Sequence, residues 1–497
     1  MSGVHARGAA WFAWGFLAFG ASLARADAGW FESGDTLLRL DLQLLNDAGV
    51  IALPVTQWPV PRASVAYALA NAKEHFATNA AVNNALARVR ARVEERAGFR
   101  YAVSASAGEP ALLRDFSSLG REDGEVAARV AYLNDRYSVT LQASGVSSAG
   151  TDDQKLRADG SEATLRLGNW LLSAQTLDRF WGPGHDSSLI LSNNARAIPS
   201  FVIERAEARE FETPLLHWIG PWRFSFGVGQ MENHREDIDS PLFLAWRVTI
   251  MPWRKFELGF SRTAEFCGKQ LECNLNVFGN LLAGNDNVGV DATPENEPGN
   301  QMAGFDMRWS SPVGNLPYAI YGQMIGEDES SYMPVKFLEQ FGIEIWHPFA
   351  DGALLQGWAE YIDTTCSANR SPPRYDCAYN QGRFNMEGYR YRGRVIGHTA
   401  DRDTEGTTVG ASLAQADGTL WSVSSRVMRL NRANGYDPTD TVASDLTWYR
   451  SLELGWRGRV FGDALDVTLG AESTETVTTD REIEPFGFVR WTHEFAR

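Results

Sequence analysis

The feature that most constrains this chain is a two-residue alternation of apolar and polar side chains, repeated from Phe99 to the end of the sequence. Residues 137–144, YSVTLQAS, set Val139, Leu141 and Ala143 against Ser138, Thr140, Gln142 and Ser144, and 242–250 and 465–472 repeat the scheme. Successive side chains of a strand point to opposite faces, so each such stretch predicts a strand with one greasy and one wettable side. The expected spans are 99–107, 125–133, 137–146, 161–168, 170–178, 201–209, 223–232, 242–251, 254–264, 302–310, 317–326, 337–346, 353–363, 405–415, 419–430, 446–457, 464–473 and 484–495. Links between them alternate in length. Short ones such as Asn134-Asp135, Pro252-Trp253 and Gly462-Asp463 fall between long ones at 108–124, 147–160, 179–200, 265–301, 364–404, 431–445 and 474–483. One link of medium length, 210–222, falls on the short side. A soluble sandwich or propeller alternates strand by strand too, but an even strand number with turns on one side and loops on the other is an outer-membrane pattern. Lipid offers edge amides no partners, so such a sheet must close. The expected fold is mainly β: a transmembrane antiparallel up-and-down barrel of about 18 strands over 98–497. Its last strand is FGFVRWTHEF, with an aromatic residue almost at the chain end.

The period is different upstream. Residues 1–26 combine a basic start, an apolar run from Ala9 to Leu23 and Ala24-Arg25-Ala26, the pattern of a cleaved signal peptide. The apolar run is shorter than the ~20 residues a spanning helix needs. Ala28 is the alternative cleavage site. Residues 29–97 are expected to form a small helical module, with Leu37, Leu38, Leu44, Leu45 and Ala48 at helical spacing and Gly49 as the stop. Ser33 or Asp35 is the expected cap. Pro54, Pro59 and Pro61 enforce an extended connector, and two more helices are expected near 62–77 and 79–96.

The four cysteines fall in two local pairs, Cys267/Cys273 and Cys366/Cys377. Four cysteines allow three connectivities; proximity and an oxidising compartment favour two loop-closing disulfides. Neither CxxC spacing nor a nearby His pair supports a metal site, and no cofactor is expected. The formal net charge of −16 argues against nucleic acid as a partner.

One segment breaks the alternation: DRFWGPGHDSSLILSNNARAIPSF, residues 178–201. With the helices at the periplasmic mouth, odd strands rise outward, so this segment is either an outward loop or a stretch folded into the lumen. Both cysteine pairs then fall in outward loops as well. Together with LDLQLLNDAGVIALPVTQWP (40–59), the segment resembles the Wzi-type capsule-assembly proteins of the Gram-negative outer membrane, over essentially the whole mature chain. That resemblance implies an eighteen-stranded barrel with a periplasmic helical bundle, and a non-enzymatic surface lectin that retains or organises capsular or extracellular polysaccharide.

For such a ligand, Trp181 offers a stacking face, and Arg179 and Arg196 offer forked donors for uronate carboxylates. His185, Asp186, Asn193 and Asn194 can bond ring hydroxyls, while Gly182, Pro183 and Gly184 shape the turn that presents Trp181. The competing structural expectation is an inward-folded plug whose polar residues satisfy one another. Arg370, Arg374, Arg390, Arg392 and Arg394 form a second candidate cluster for an acidic glycan. A diffusion porin is one rival reading. A hydrolase or acyltransferase using His185, Asp186, Ser187 or Ser188 is another, although GxSxG is absent. The expected partners are polysaccharide and outer-membrane lipid, with envelope export machinery a candidate at the helices; nothing requires more than a monomer.

Overall fold

Eighteen strands follow one another around a closed antiparallel barrel in a computed structural model of the chain. It describes residues 28–495 except 96, 118–119, 151, 153, 234, 236–237, 270–272, 284–299, 315, 331–332, 367–371, 380–386, 436–439 and 441. The expected leader at 1–26 and Arg370 lie outside the described residues.

The strands are β1 (Gly98–Glu109), β2 (Gly124–Leu133), β3 (Tyr137–Val146), β4 (Glu162–Leu167), β5 (Trp170–Gln175) and β6 (Ser200–Arg205). There follow β7 (Trp222–Gln230), β8 (Leu242–Trp253), β9 (Phe256–Phe266), β10 (Gln301–Ser310), β11 (Tyr318–Ser330) and β12 (Met333–Pro348). The last six are β13 (Leu354–Asp363), β14 (Glu405–Ala414), β15 (Leu420–Leu430), β16 (Thr447–Val460), β17 (Asp463–Thr476) and β18 (Glu482–Glu494). Leu156–Arg157 extends the β4 side of the ladder along β3. The seam is closed by β18 against β1, from Gly487 opposite Glu109 to Glu494 opposite Ala102. One expectation changes: β11 and β12 run as a long hairpin with only residues 331–332 between them, rather than parting near 326 and resuming at 337.

The wall is inside-out relative to a soluble sheet. Leu141, Phe201, Val427, Leu452 and Leu469 stand exposed on its outer face. The inner face carries buried Glu204, Arg223, Arg247, Asp306, Arg308, Gln323, Glu344, Glu360 and Arg426. An apolar outside around a polar inside is what a hydrocarbon solvent selects.

Three helices precede the wall: α1 (Thr36–Asp47), α2 (Arg62–Ala70) and α3 (Ala80–Val93). Asp35 caps α1 by accepting from Leu38 N at 3.1 Å, and Asn79 caps α3 by accepting from Val82 N at 3.0 Å. The second helix ends at Ala70, well short of 77; Asn71 turns its side chain back onto Tyr67 O, and only one 3₁₀ turn, Glu74–Phe76, follows. Contacts of this segment land on the mouth that carries the short turns. Ala28 N donates to Asn134 O, Asn84 to Gly352 O, Arg254 to Gly49 O, and Ser64 to Ala206 O within the 206–221 link. From Leu38 to Asp47, α1 is buried on every side. A helix enclosed in this way must pair its polar residues, and Asp41 does so with Arg88 at 2.6 Å.

Candidate functional site

The lumen is filled from both ends. From the long-loop mouth, residues 176–199 turn inward after β5 and meet the N-terminal segment, Phe180 and Trp181 pairing antiparallel with Trp58 and Gln57. Phe116, from the loop after β1, packs edge-on against both Trp58 and Phe180, with ring centroids 5.4 and 5.0 Å away. Arg39 of α1 donates from Nη2 to the Pro183 and Gly184 carbonyls, each at 2.7 Å, and its guanidinium lies 4.3 Å from the Phe116 ring centroid. Gly184 fits because a Cβ there would come 2.4 Å from Ser187 O.

Each residue singled out in this segment has a protein environment. Trp181 is fully buried in an apolar cluster with Leu189, Ile190, Tyr379 and Tyr389, so it offers no open face in this structure. His185 stacks on Trp358 with 9° between the planes, and its Nε2 lies 2.7 Å from Glu344. Burial lowers the His185 pKa, against the Glu344 hydrogen bond, so the ring is neutral and Nε2–H donates. The Asp186 carboxylate accepts from Arg426 at 2.6 and 2.8 Å and from Thr408 at 2.9 Å. Asn193 donates to Phe116 O and Asn194 to Val395 O. Burial works against the Arg196 charge, but Asp159 and Asp152 outweigh it and hold the guanidinium above its ordinary pKa. Arg179 lies 3.9 Å from Glu204. Arg179 and Trp181 line a cavity of about 40 Å³, with the scale of water rather than a sugar ring. The seven polar and aromatic residues are thus gathered in one plug, with no stacking platform at the surface.

Several residues that complete the plug were not singled out in the sequence. Arg308 forks onto Asp47 at the end of α1 and also pairs with Glu344. Glu257 accepts from Val55 N, Thr56 N and Thr56 Oγ1, and Arg223 donates to the Gln57 and Pro59 carbonyls. These charges occupy the polar positions of alternating strands, so their inward direction was legible, though their partners were not. The second lumenal layer comes from 364–404: Tyr379 and Tyr389 donate to the Leu189 and Ile190 carbonyls, and Ser192 donates to Gly397 O. His398 lies in the same layer, and burial lowers its pKa to about 4.

The arginines of that loop do not make one patch. Arg390 is buried in a forked pair with Asp401, whereas Arg374 is exposed and Arg392 is half-buried. Both disulfides form, Cys267–Cys273 and Cys366–Cys377, in loops of this mouth. Ser187 Oγ accepts from Thr399 N, and Ser188 Oγ donates to Trp181 O, so neither hydroxyl is hydrogen-bonded to His185.

The capsule assembly protein Wzi family model matches residues 92–484. The chain belongs to the Wzi family. A solved outer-membrane barrel of the same kind, Wzi of Escherichia coli, superposes with a TM-score of 0.82 at 26% identity, over 95% of this chain and 100% of that one. It is described as involved in group 1 capsule assembly and as a carbohydrate-binding β-barrel. A 55.8 kDa protein of the Klebsiella pneumoniae cps region is 32% identical over 336 residues, 67% of this chain and 65% of that protein. The match therefore spans just under two thirds of that relative's own length. Wzi is not a known enzyme family, and this Wzi-family barrel is an outer-membrane protein.

Proposed function

We propose that this Wzi-family barrel is a non-enzymatic lectin that holds or organises capsular polysaccharide at the surface of a Gram-negative cell. It would act as a monomer, with its helices facing the periplasm and its long loops facing outward. The observation that carries the reading is the obstructed lumen: the connector after α1 enters from one mouth, the loop after β1 and 176–199 from the other, and they meet at Trp58, Phe116 and Phe180. A barrel so stoppered works through its surface rather than as a passage, which favours retention over diffusion.

Within this reading the residues of 178–201 act by positioning. Arg179, Trp181, His185, Asp186, Asn193, Asn194 and Arg196 lock the plug on which the outer loops rest. Sugar contact falls to the mouth, where Arg432 lies 5.7 Å from the exposed Tyr375 ring. Aromatic faces beside forked donors suit sugar rings and uronate carboxylates. The test compares cell-bound with shed polysaccharide in a strain lacking the protein, with and without its restoration. Shedding should rise without the protein and fall when it is restored; equal retention in both strains ends the proposal.

A further inference from the structure

The outer wall carries an arginine with no protein partner. Arg450 of β16 is exposed and has no hydrogen bond or ion pair among the described residues. It faces lipid, because its cross-strand neighbour Val427 on β15 stands exposed on the same side. Two aromatic positions give its depth. Trp456 lies beside Trp421 near one edge of the band, and Trp448 lies toward the other, eight residues along β16. At ~3.4 Å per residue and a ~40° tilt that separation is about 21 Å, close to the ~25 Å apolar band of such barrels. Arg450 stands one outward position inside Trp448, at the boundary between acyl chains and headgroups on the long-loop side. A charge on a lipid face is costly in a depth-dependent way and calls for a partner.

The surroundings define that partner. Arg450 edges a depression of about 360 Å³, whose lining also includes Tyr361, Thr407, Arg429, Trp448 and Glu405. Arg429 is exposed beside Arg450 and bridges to Glu405. Arg432 sits 3.1 Å from Glu405 and 3.6 Å from Asp363, so those two carboxylates already have cations. Glu475 lies opposite Trp448, while Ser473, whose hydroxyl accepts from Arg481 Nε at 2.9 Å, lies opposite Arg450. The lining therefore holds two guanidinium groups against one carboxylate, on a chain whose net charge is −16. Below it the wall continues as Val427, Val409 and Leu452.

We infer that this depression is a binding site for a phosphorylated glycolipid of the outer leaflet. The phosphate meets Arg450 and Arg429, the sugar lies against Trp448 and Tyr361, and acyl chains run down the apolar wall. Forked donors match phosphate, and an aromatic face beside them suits a hexosamine ring. This goes beyond polysaccharide retention and requires only the outer-membrane location.

The test is native mass spectrometry of the full-length protein in detergent, titrated with bisphosphorylated lipid A and with the same lipid stripped of phosphate. The intact protein should retain the phosphorylated lipid. Arg450→Gln should weaken retention about tenfold, the scale of one charge-assisted contact, and Arg450→Lys, which keeps the charge but loses the fork, should restore only part of it. Arg136→Gln, on the opposite mouth, should change nothing. Equal retention of phosphate-free lipid, or no loss in Arg450→Gln, overturns the site. Displacement of the lipid by millimolar inorganic phosphate overturns the assignment to a lipid. Polysaccharide shedding, scored separately in the same variants, should not change, so failure here and failure of the lectin reading are distinguishable.

Discussion

Arg39→Met tests whether the plug and the helical segment hold each other. The side chain spans two bodies, since α1 carries it while Pro183 and Gly184 receive it. Two charge-assisted hydrogen bonds of about 2 kcal/mol each and a desolvated cation–π contact of about 2 kcal/mol favour the arginine by about 6 kcal/mol. Burial opposes it, lowering its pKa from 12.5 to about 10 despite Glu344 and Glu360, and such a shift costs the charge about 3 kcal/mol. The net is about 3 kcal/mol, or about a hundredfold in the opening equilibrium of the plug. Methionine keeps the apolar stem, which isolates the guanidinium. Amide hydrogen exchange should therefore rise about a hundredfold across 180–192, while exchange in β15 and β16 stays unchanged. In planar bilayers the intact protein should pass little steady current and the variant should show intermittent openings. Unchanged exchange at 180–192 would mean that the two inserts are held by the wall separately. Large currents from the intact protein would instead restore the porin reading.

Two further outcomes follow from single positions. His398 is fully buried and its pKa is lowered to about 4 by burial, with the Arg426 charge acting the same way against Asp186. The folded state therefore excludes a proton that the unfolded chain binds below its ordinary 6.5. The stability from this group is present above pH ~6.5 and is lost as pH falls toward ~4, by at most about 3 kcal/mol. Protection factors across 395–404, corrected for the intrinsic pH dependence of amide exchange, should fall from pH 7 to pH 4.5, and the fall should be absent in His398→Gln; identical protection profiles would exclude His398 as the cause. Gly108 sits at the barrel seam with φ +143, and a Cβ there would lie 1.9 Å from Gly487 O. Gly108→Ala should destabilise closure by about 2 kcal/mol or more, seen as a lower temperature for loss of the compact band in unboiled gel samples; wild-type behaviour would show that the seam can shift.

The strands were legible because their signal is local. Alternation at period two is set by neighbours within a few residues, and lipid outside a polar lumen leaves it clean, as Val139 and Leu141 against Ser138 and Thr140 illustrate. Both strands of the β11–β12 hairpin were legible, but not its tip, which extends the ladder beyond the alternating stretch where pattern alone stops. The plug residues were visible as an anomaly, but their direction was not. Trp181 reads as a surface platform until Gln57 and Trp58 are known to pair with its strand, and that partner lies more than a hundred positions away. Arg39 carried even less signal. It sits among leucines in a segment whose helical spacing suggested an ordinary amphipathic face, whereas the barrel mouth encloses the whole helix. Pairings such as Arg308 with Asp47 depend on closure of the wall, which no short window of sequence encodes.

The bonds that seat α1 also order events in time. Its arginine meets carbonyls 144 and 145 positions downstream, and its last carboxylate meets a guanidinium 261 positions downstream. Contacts that close such long loops are entropically late. The leucines of α1 can pack against Val82, Leu86 and Val89 of α3 early, but until β10 and the inward loop arrive, Arg39 and Asp47 have no partners there. A nascent chain halted before that point would carry an unseated stopper, its two anchoring charges still turned to water.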